Sequence, residues 1–294
     1  MFKAFKGFVF FFLISVLSAY ASGLPEDFVS VIDVNGTIML FDTSTGKDEV
    51  TAKFQVVASQ IKLKNGLTAE DQIKKVTSSK KIANEAYVRL LDYMAQWHAL
   101  GELDYHEILR YDEIVKTVEE AMAATKKHKN IFPSIINYMR RIISADSQAK
   151  FVLHSFGQDT EHAVMSIVQA IPEMVVHKGS LFFNEDGYLV LGDGVFAGPS
   201  ELKPLLNPGL NIWQANHRGW KKGAGGKIVW KNTSILFDDN ANICARPIVG
   251  DVFDVTLVEP MMGKEIQWVD TYQALIDEDY FIRLLQSAYP DVTL

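Results

Sequence analysis
Residues 28–37 read FVSVIDVNGT. From Phe28 to Ile32 the run is apolar and β-branched, with Ser30 the one polar interruption, which predicts a buried strand. The strand stops at Asp33, and Asp33-Val34-Asn35-Gly36-Thr37 is turn chemistry. Gly36 lets the chain bend away tightly behind Asp33. Alone, such a stretch is a strand-ending turn, so its meaning depends on what else the chain places at strand ends.

Two other stretches share the form. FVLHS (151–155) predicts a short strand over Lys150–Ser155 running into the turn His154-Ser155-Phe156-Gly157. ILFDDN (235–240) predicts a strand over 234–237 that ends at Asp238-Asp239-Asn240. Between the first two stretches the periodicity is helical. One helix is expected over 68–98, with Ile73, Val76, Ala83, Leu90, Met94 and Trp97 on one face. Thr68 with Asp71 is its capping signal. A second helix opens at Asp104 and carries Ile108, Tyr111, Val115, Val118 and Met122. A third opens at Ser134, after Pro133, with Ile135, Met139 and Ile142.

Further on, a helix is expected over 160–170 and a hairpin over 181–191 around Asn184-Glu185-Asp186-Gly187. Strands are expected over 210–214, 246–249 and 252–258, and a closing helix over 270–288. Strand and helix alternate, which predicts an α/β fold with a mainly parallel sheet. Ligands of such sheets lie beyond the carboxyl ends of the strands. If the three strands are neighbours, their polar ends converge on one crevice.

Composition narrows the function classes. Of 294 residues, 48% are apolar and 22% charged, a globular profile that argues against a disordered or coiled-coil chain. Lys plus Arg number 29 against 36 Asp plus Glu, a net charge of −7, so the chain carries no electrostatic footprint for nucleic acid. Cys244 is the single cysteine, which excludes an intramolecular disulfide framework and a multi-cysteine metal site.

Lys3 and Lys6 precede an apolar run over 8–17, and Ala19-Tyr20-Ala21 has the A-x-A form of a cleavage site. Basic start, short apolar core and small-residue exit predict an export signal over residues 1–21. The run is short of the ~20 apolar residues a membrane-spanning helix needs. An exported, periplasmic or secreted protein with no stable membrane span after cleavage is expected.

The three strand ends suit phosphoryl transfer. Asp33 is a candidate nucleophile that would form an aspartyl-phosphate. Asp238 and Asp239 are candidate ligands for Mg²⁺, a hard ion that takes oxygen donors and few carboxylates. Ser155 would hydrogen-bond a phosphoryl oxygen, and a lysine upstream of the acidic pair would offset phosphate charge.

These motifs resemble those of the haloacid dehalogenase (HAD) superfamily of phosphatases and phosphotransferases. VIDVNGT matches its first motif, Asp-x-Asp-Gly-Thr after an apolar strand. FVLHS matches the second, a strand ending in Ser or Thr, and ILFDDN the fourth, a strand ending in paired acids. The resemblance covers roughly residues 27–42 and 130–250. It implies a three-layer Rossmannoid core over 24–45 and 131–294, with a helical cap inserted over 46–130. A smaller β insertion is expected around 171–209.

Carried across, the resemblance makes Asp33 the nucleophile and Ser155 the phosphate hydroxyl. The metal set would be Asp33, Asp238, Asp239 and the backbone carbonyl of Asn35. Gly36, Thr37, Phe156 and Lys221 would join Ser155 in cradling the phosphate. The third-motif lysine has three candidates, Lys221, Lys222 and Lys227. Lys227 follows Gly226 close before the acidic strand and is preferred, with Lys221 second. Mg²⁺ is the implied cofactor, and a small phosphorylated molecule or a phosphoprotein the implied partner.

Asn35 departs from the pattern. The family's phosphatases carry Asp there, a titratable group that protonates the leaving group and then deprotonates water. An amide cannot cycle that proton. His154, His162 and His217 are the candidates to substitute. Asn35 therefore also supports a repurposed HAD-like module that binds a phosphorylated ligand or a protein without turnover. A serine hydrolase is disfavoured. LHSFG lacks the first Gly of G-x-S-x-G, and no histidine follows Asp238 to complete the order Ser, Asp, His. Asn35-Gly36-Thr37 and Asn232-Thr233-Ser234 also form N-x-S/T sequons, the first of them at a buried strand end where glycosylation is not expected.

Overall fold
A computed structural model describes residues 23–41, 46–155, 159–183, 189–191, 194–196, 212–216, 227–229, 233–239, 255–257 and 265–294. The expected leader over 1–21, the hairpin turn over 184–188 and the expected strand over 246–249 lie outside them.

The predicted first strand is β1 (Val29–Asp33), and all five residues are buried. It lies between β2 (Lys150–Ser155) and β8 (Ser234–Asp238), parallel to both. Val31 is level with Val152 on one side and Leu236 on the other, and Asp33 with His154. The three strands therefore end together at one edge of the sheet. Beyond β8 lies β10 (Ile266–Trp268), also parallel. Beyond β2 lie β6 (Ile212–Asn216) and β3 (Val176–Phe183), again parallel. Then β4 (Leu189–Leu191) and β5 (Gly194–Phe196) turn antiparallel, giving the order β10-β8-β1-β2-β6-β3-β4-β5. The expected hairpin is thus the β3–β4 pair, and it extends the main sheet. β7 (Lys227–Val229) and β9 (Val255–Leu257) form a separate parallel pair.

The described residues contain nine α-helices. Residues 46–130 hold five of them: α1 (Glu49–Gln60), α2 (Ala69–Val76), α3 (Lys80–Val88), α4 (Leu90–Ala99) and α5 (Tyr105–Thr125). The single helix expected over 68–98 is three. The hydroxyl of Thr77 donates to the Ile73 carbonyl and ends α2, and Ser79 caps α3 by accepting from the Ile82 amide. Of the residues expected on one face, Ile73, Ala83, Leu90, Met94 and Trp97 are buried, whereas Val76, at the end of α2, is exposed because the helix stops there. Thr68 and Asp71 do form the expected capping box, at the start of α2. α1 had no signal beyond its cap Asp48, which accepts from the Thr51 amide.

α6 (Pro133–Ala145) and α7 (Asp159–Ala170) match expectation. The closing helix is broken into α8 (Thr271–Ile276) and α9 (Tyr280–Ala288), because Asp277 turns the chain by accepting from the Asp279 amide.

Both faces of the central strands are buried. Ser30, Ile32, Phe151 and Phe237 lie on one, and Val29, Val31, Val152 and Leu236 on the other, none more than 1% exposed. On the first face, Tyr138 of α6 packs edge-on against Phe151 and Phe237, and its hydroxyl bonds Ser30 at 2.6 Å. Burial pushes that phenol above its ordinary pKa, so it stays neutral there. The helices of 46–130 and the sheet share one continuous apolar cluster, from Val56, Ile73 and Val118 to Ile32 and Phe237.

The result is an α/β protein built on a mainly parallel sheet. Later strands lie on both sides of β1, β2 on one and β8 on the other, so the switch point lies at β1 and its neighbours. A crevice for ligand is expected at that point, beyond the strand ends.

Candidate functional site
Asp33 closes β1, Asp238 closes β8 and Asp239 follows it. Asp238 is fully buried, Asp33 is 8% exposed and Asp239 is half-buried. Each offers a carboxylate oxygen, and the three lie within 4.8 Å of one another. At such a spacing two carboxylates repel by about 3 kcal/mol for an effective dielectric of ~20. The backbone holds them there because parallel pairing aligns the strand ends. A hard divalent cation suits this donor set, since it takes oxygen ligands and relieves the repulsion.

The turn after β1 fastens the cluster. Thr37 is fully buried. Its Oγ1 accepts from the Asp239 amide at 3.0 Å and lies 3.4 Å from carboxylate oxygens of both Asp33 and Asp239. The indole N–H of Trp268, on the edge strand, donates to the Asp239 carbonyl at 2.8 Å. Thr271 donates to the Gly36 carbonyl at 2.7 Å.

Gly36 has φ +83°, and a Cβ there would lie 2.6 Å from Asp239 Oδ2. The left-handed backbone favours glycine, and a side chain there would have to push the Asp239 carboxylate aside. Gly36→Ala is therefore expected to cost about 1–3 kcal/mol and to displace the Asp239 carboxylate. A lower thermal midpoint with weaker divalent-cation binding is the expected readout. An unchanged cation affinity would show that Asp239 needs no such position.

Asn35 is held at both ends of its amide. Its nitrogen donates to the Phe41 carbonyl at 2.8 Å and to Asp159 Oδ2 at 2.9 Å. Its oxygen accepts from Ser155 Oγ at 2.9 Å. The Ser155 proton is thus given to Asn35. Asp159, 4% exposed at the start of α7, escaped the sequence reading. Its only linear cue is a position four residues after Ser155, one residue before the helix expected over 160–170.

Other expected site residues are placed less fully. The backbone of Lys227 opens β7, in the two-stranded sheet rather than the main one, and its side chain lies outside the described residues. Lys221, Lys222, Phe156 and His217 lie outside them too, as does the side chain of His154. His162 has its ring Nε2 3.0 Å from the Lys129 carbonyl, on an exposed surface.

A cleft of about 440 Å³ opens beside the cluster. Gly36, Asp239 and Trp268 line its core side, and Gln55, Glu70 and Lys74 of α1 and α2 its helical side. None of these helical residues carried a sequence signal, because a polar residue on an amphipathic helix reads as solvent-facing. Partial loss of water beside the cleft lowers the pKa of the Lys74 ammonium, but Glu70, then Asp239 and Asp71, outweigh this and raise it, so the largely exposed side chain stays charged.

The fold and the site together define an α/β protein with an acidic cluster at the carboxyl edge of a mainly parallel sheet. Comparison with protein-family models, curated proteins and solved structures finds no match to the chain.

Proposed function
We propose that the protein is a Mg²⁺-dependent, HAD-like phosphohydrolase or phosphotransferase acting through an aspartyl-phosphate. The observation that carries the reading is the meeting of Asp33, Asp238 and Asp239 within 4.8 Å at adjacent strand ends. Asp33 and the pair Asp238-Asp239 come from stretches far apart in the chain, and each supplies a part of one arrangement.

Asp33 is the nucleophile. One carboxylate oxygen forms a bond to phosphorus as the bond from phosphorus to the leaving oxygen breaks. Thr37 keeps the turn behind Asp33 fastened to Asp239. Asp238, Asp239 and the Asn35 carbonyl would complete a Mg²⁺ site with Asp33, and the ion would supply charge neutralisation at the phosphoryl oxygens. Ser155 fixes Asn35, and Lys227 or Lys221 is proposed to meet the phosphate. Residues 46–130 act as the cap that excludes water and selects substrate. The leader over 1–21 would direct the chain out of the cytoplasm.

The substrate is a small phosphorylated molecule or a phosphoprotein. Mg²⁺-stimulated release of phosphate from an aryl phosphate tests the reading, and its absence at millimolar ester removes it.

One observation favours a second reading. Asn35 has both amide ends engaged and no proton to cycle. A chain that keeps the site but lacks the acid would hold a phosphorylated ligand without hydrolysing it. Tight phosphate-ester binding without turnover is its signature.

A further inference from the structure
Across the cleft from the acidic cluster, α1 and α2 present a linked row of polar groups. Gln55 Nε2 donates to Glu70 Oε1 at 2.7 Å, and Lys74 Nζ meets the same oxygen at 2.7 Å. Besides Asp239, the acids lining the cleft are engaged within the fold. Glu70 holds Gln55 and Lys74, Asp71 holds the start of α2, and Asp270 accepts from the amides of Tyr272 and Gln273. The Lys74 ammonium has three N–H groups, and its ion pair with Glu70 takes one. Its side chain is 57% exposed, so those donors are open to a ligand in the cleft.

Asp33 is not among the residues lining the cleft, whereas Gly36 and Asp239 form its core side. Asp239 belongs to both the cluster and the cleft lining, so on the phosphoryl-transfer reading the rest of the molecule extends past it into the cleft, toward Lys74. We infer that Lys74 is a specificity-determining residue that binds a second, non-reacting anionic group of the substrate, so that the preferred substrate is a phosphate ester carrying a carboxylate or a further phosphate. The inference rests on the phosphoryl-transfer reading for the placement of the first phosphate. Lys74 does no chemistry, and it separates doubly from singly anionic esters by a charge-assisted hydrogen bond. Glu70 holds the ammonium in place and competes with the ligand for it.

A matched pair of non-hydrolysable probes, phenylphosphonate and 4-carboxyphenylphosphonate, tests this by calorimetry with Mg²⁺ present. The wild type is expected to bind the carboxylated probe about 10- to 100-fold more tightly, the range of one such bond. Lys74→Ala is expected to erase that preference while leaving phenylphosphonate affinity within about twofold, and Lys74→Arg to keep most of it. Glu70→Gln is expected to increase it, by removing the competing carboxylate, an effect opposite in sign to any loss of folding. Equal binding of both probes, binding of neither, or a preference that survives Lys74→Ala overturns the inference. The readout needs no turnover. A preference erased by Lys74→Ala in a protein that hydrolyses nothing removes the catalytic reading and keeps this one. Turnover abolished by Asp33→Asn beside an unaltered probe ratio does the reverse.

Discussion
Asp33→Asn is expected to lower kcat/KM for Mg²⁺-stimulated hydrolysis of an aryl phosphate by at least ~10³-fold, because an amide oxygen cannot form the aspartyl-phosphate. The amide is nearly isosteric, so the loss is not one of packing. It removes one of three carboxylates held within 4.8 Å of each other. Without metal, the variant should therefore melt at or above the wild-type temperature, since a repulsion of a few kcal/mol is relieved. With Mg²⁺, the order should reverse. Binding to the native state stabilises by RT ln(1 + [L]/Kd), and a weaker site gains less. Calorimetric scans with and without Mg²⁺, beside the rate assay, check all three statements. Full activity in Asp33→Ala would sink the mechanism.

Asn35→Asp is expected to raise the hydrolytic rate by about 10²- to 10⁴-fold, the usual contribution of a positioned acid–base group. The surroundings set the cost. Asn35 now donates to the Phe41 carbonyl and to Asp159. A carboxyl in its place brings one proton at most to those two acceptors, so at least one of them loses its donor at a cost of about 1–3 kcal/mol. Ser155 can still donate to the remaining oxygen. Adding Asp159→Asn returns a donor to the pair, and the double variant should recover most of the lost stability while keeping the gained rate. Steady-state rates and urea midpoints for the two single variants and the double form a cycle that separates the effects. An unchanged rate in a variant that still binds Mg²⁺ normally would favour the non-hydrolytic reading.

Part of the site was legible in the sequence alone. The strands over 29–33 and 234–238 were, because a run of buried apolar residues ending in acids and turn formers is a local pattern. The cap of α2 was legible for the same reason, since Thr68 and Asp71 meet within one turn. The joints within the expected helix over 68–98 were not, because Val76 reads as a continuation of the apolar face although it is exposed where α2 ends, and Thr77 and Ser79 read as ordinary helix-surface residues. The role of Asn35 was only half legible. Its chemistry, an amide where an acid would be needed, stands in the chain. Its partners Ser155 and Asp159 lie 120 and 124 residues away and are chosen by the pairing of β1 with β2.

By itself, then, the sequence determined an alternating α/β chain, three polar strand ends and the candidate acids Asp33, Asp238 and Asp239, all matters of local composition. Only the tertiary structure decided that β1 lies between β2 and β8, so that those ends meet at one edge. It also decided that Asn35 and Ser155 satisfy each other, and that Lys74 faces the same cleft as Asp239. The physical reason is the same each time. Burial and turn propensity act on neighbours along the chain, whereas strand order and helix docking choose partners by the area they bury together, across separations that local patterns do not encode.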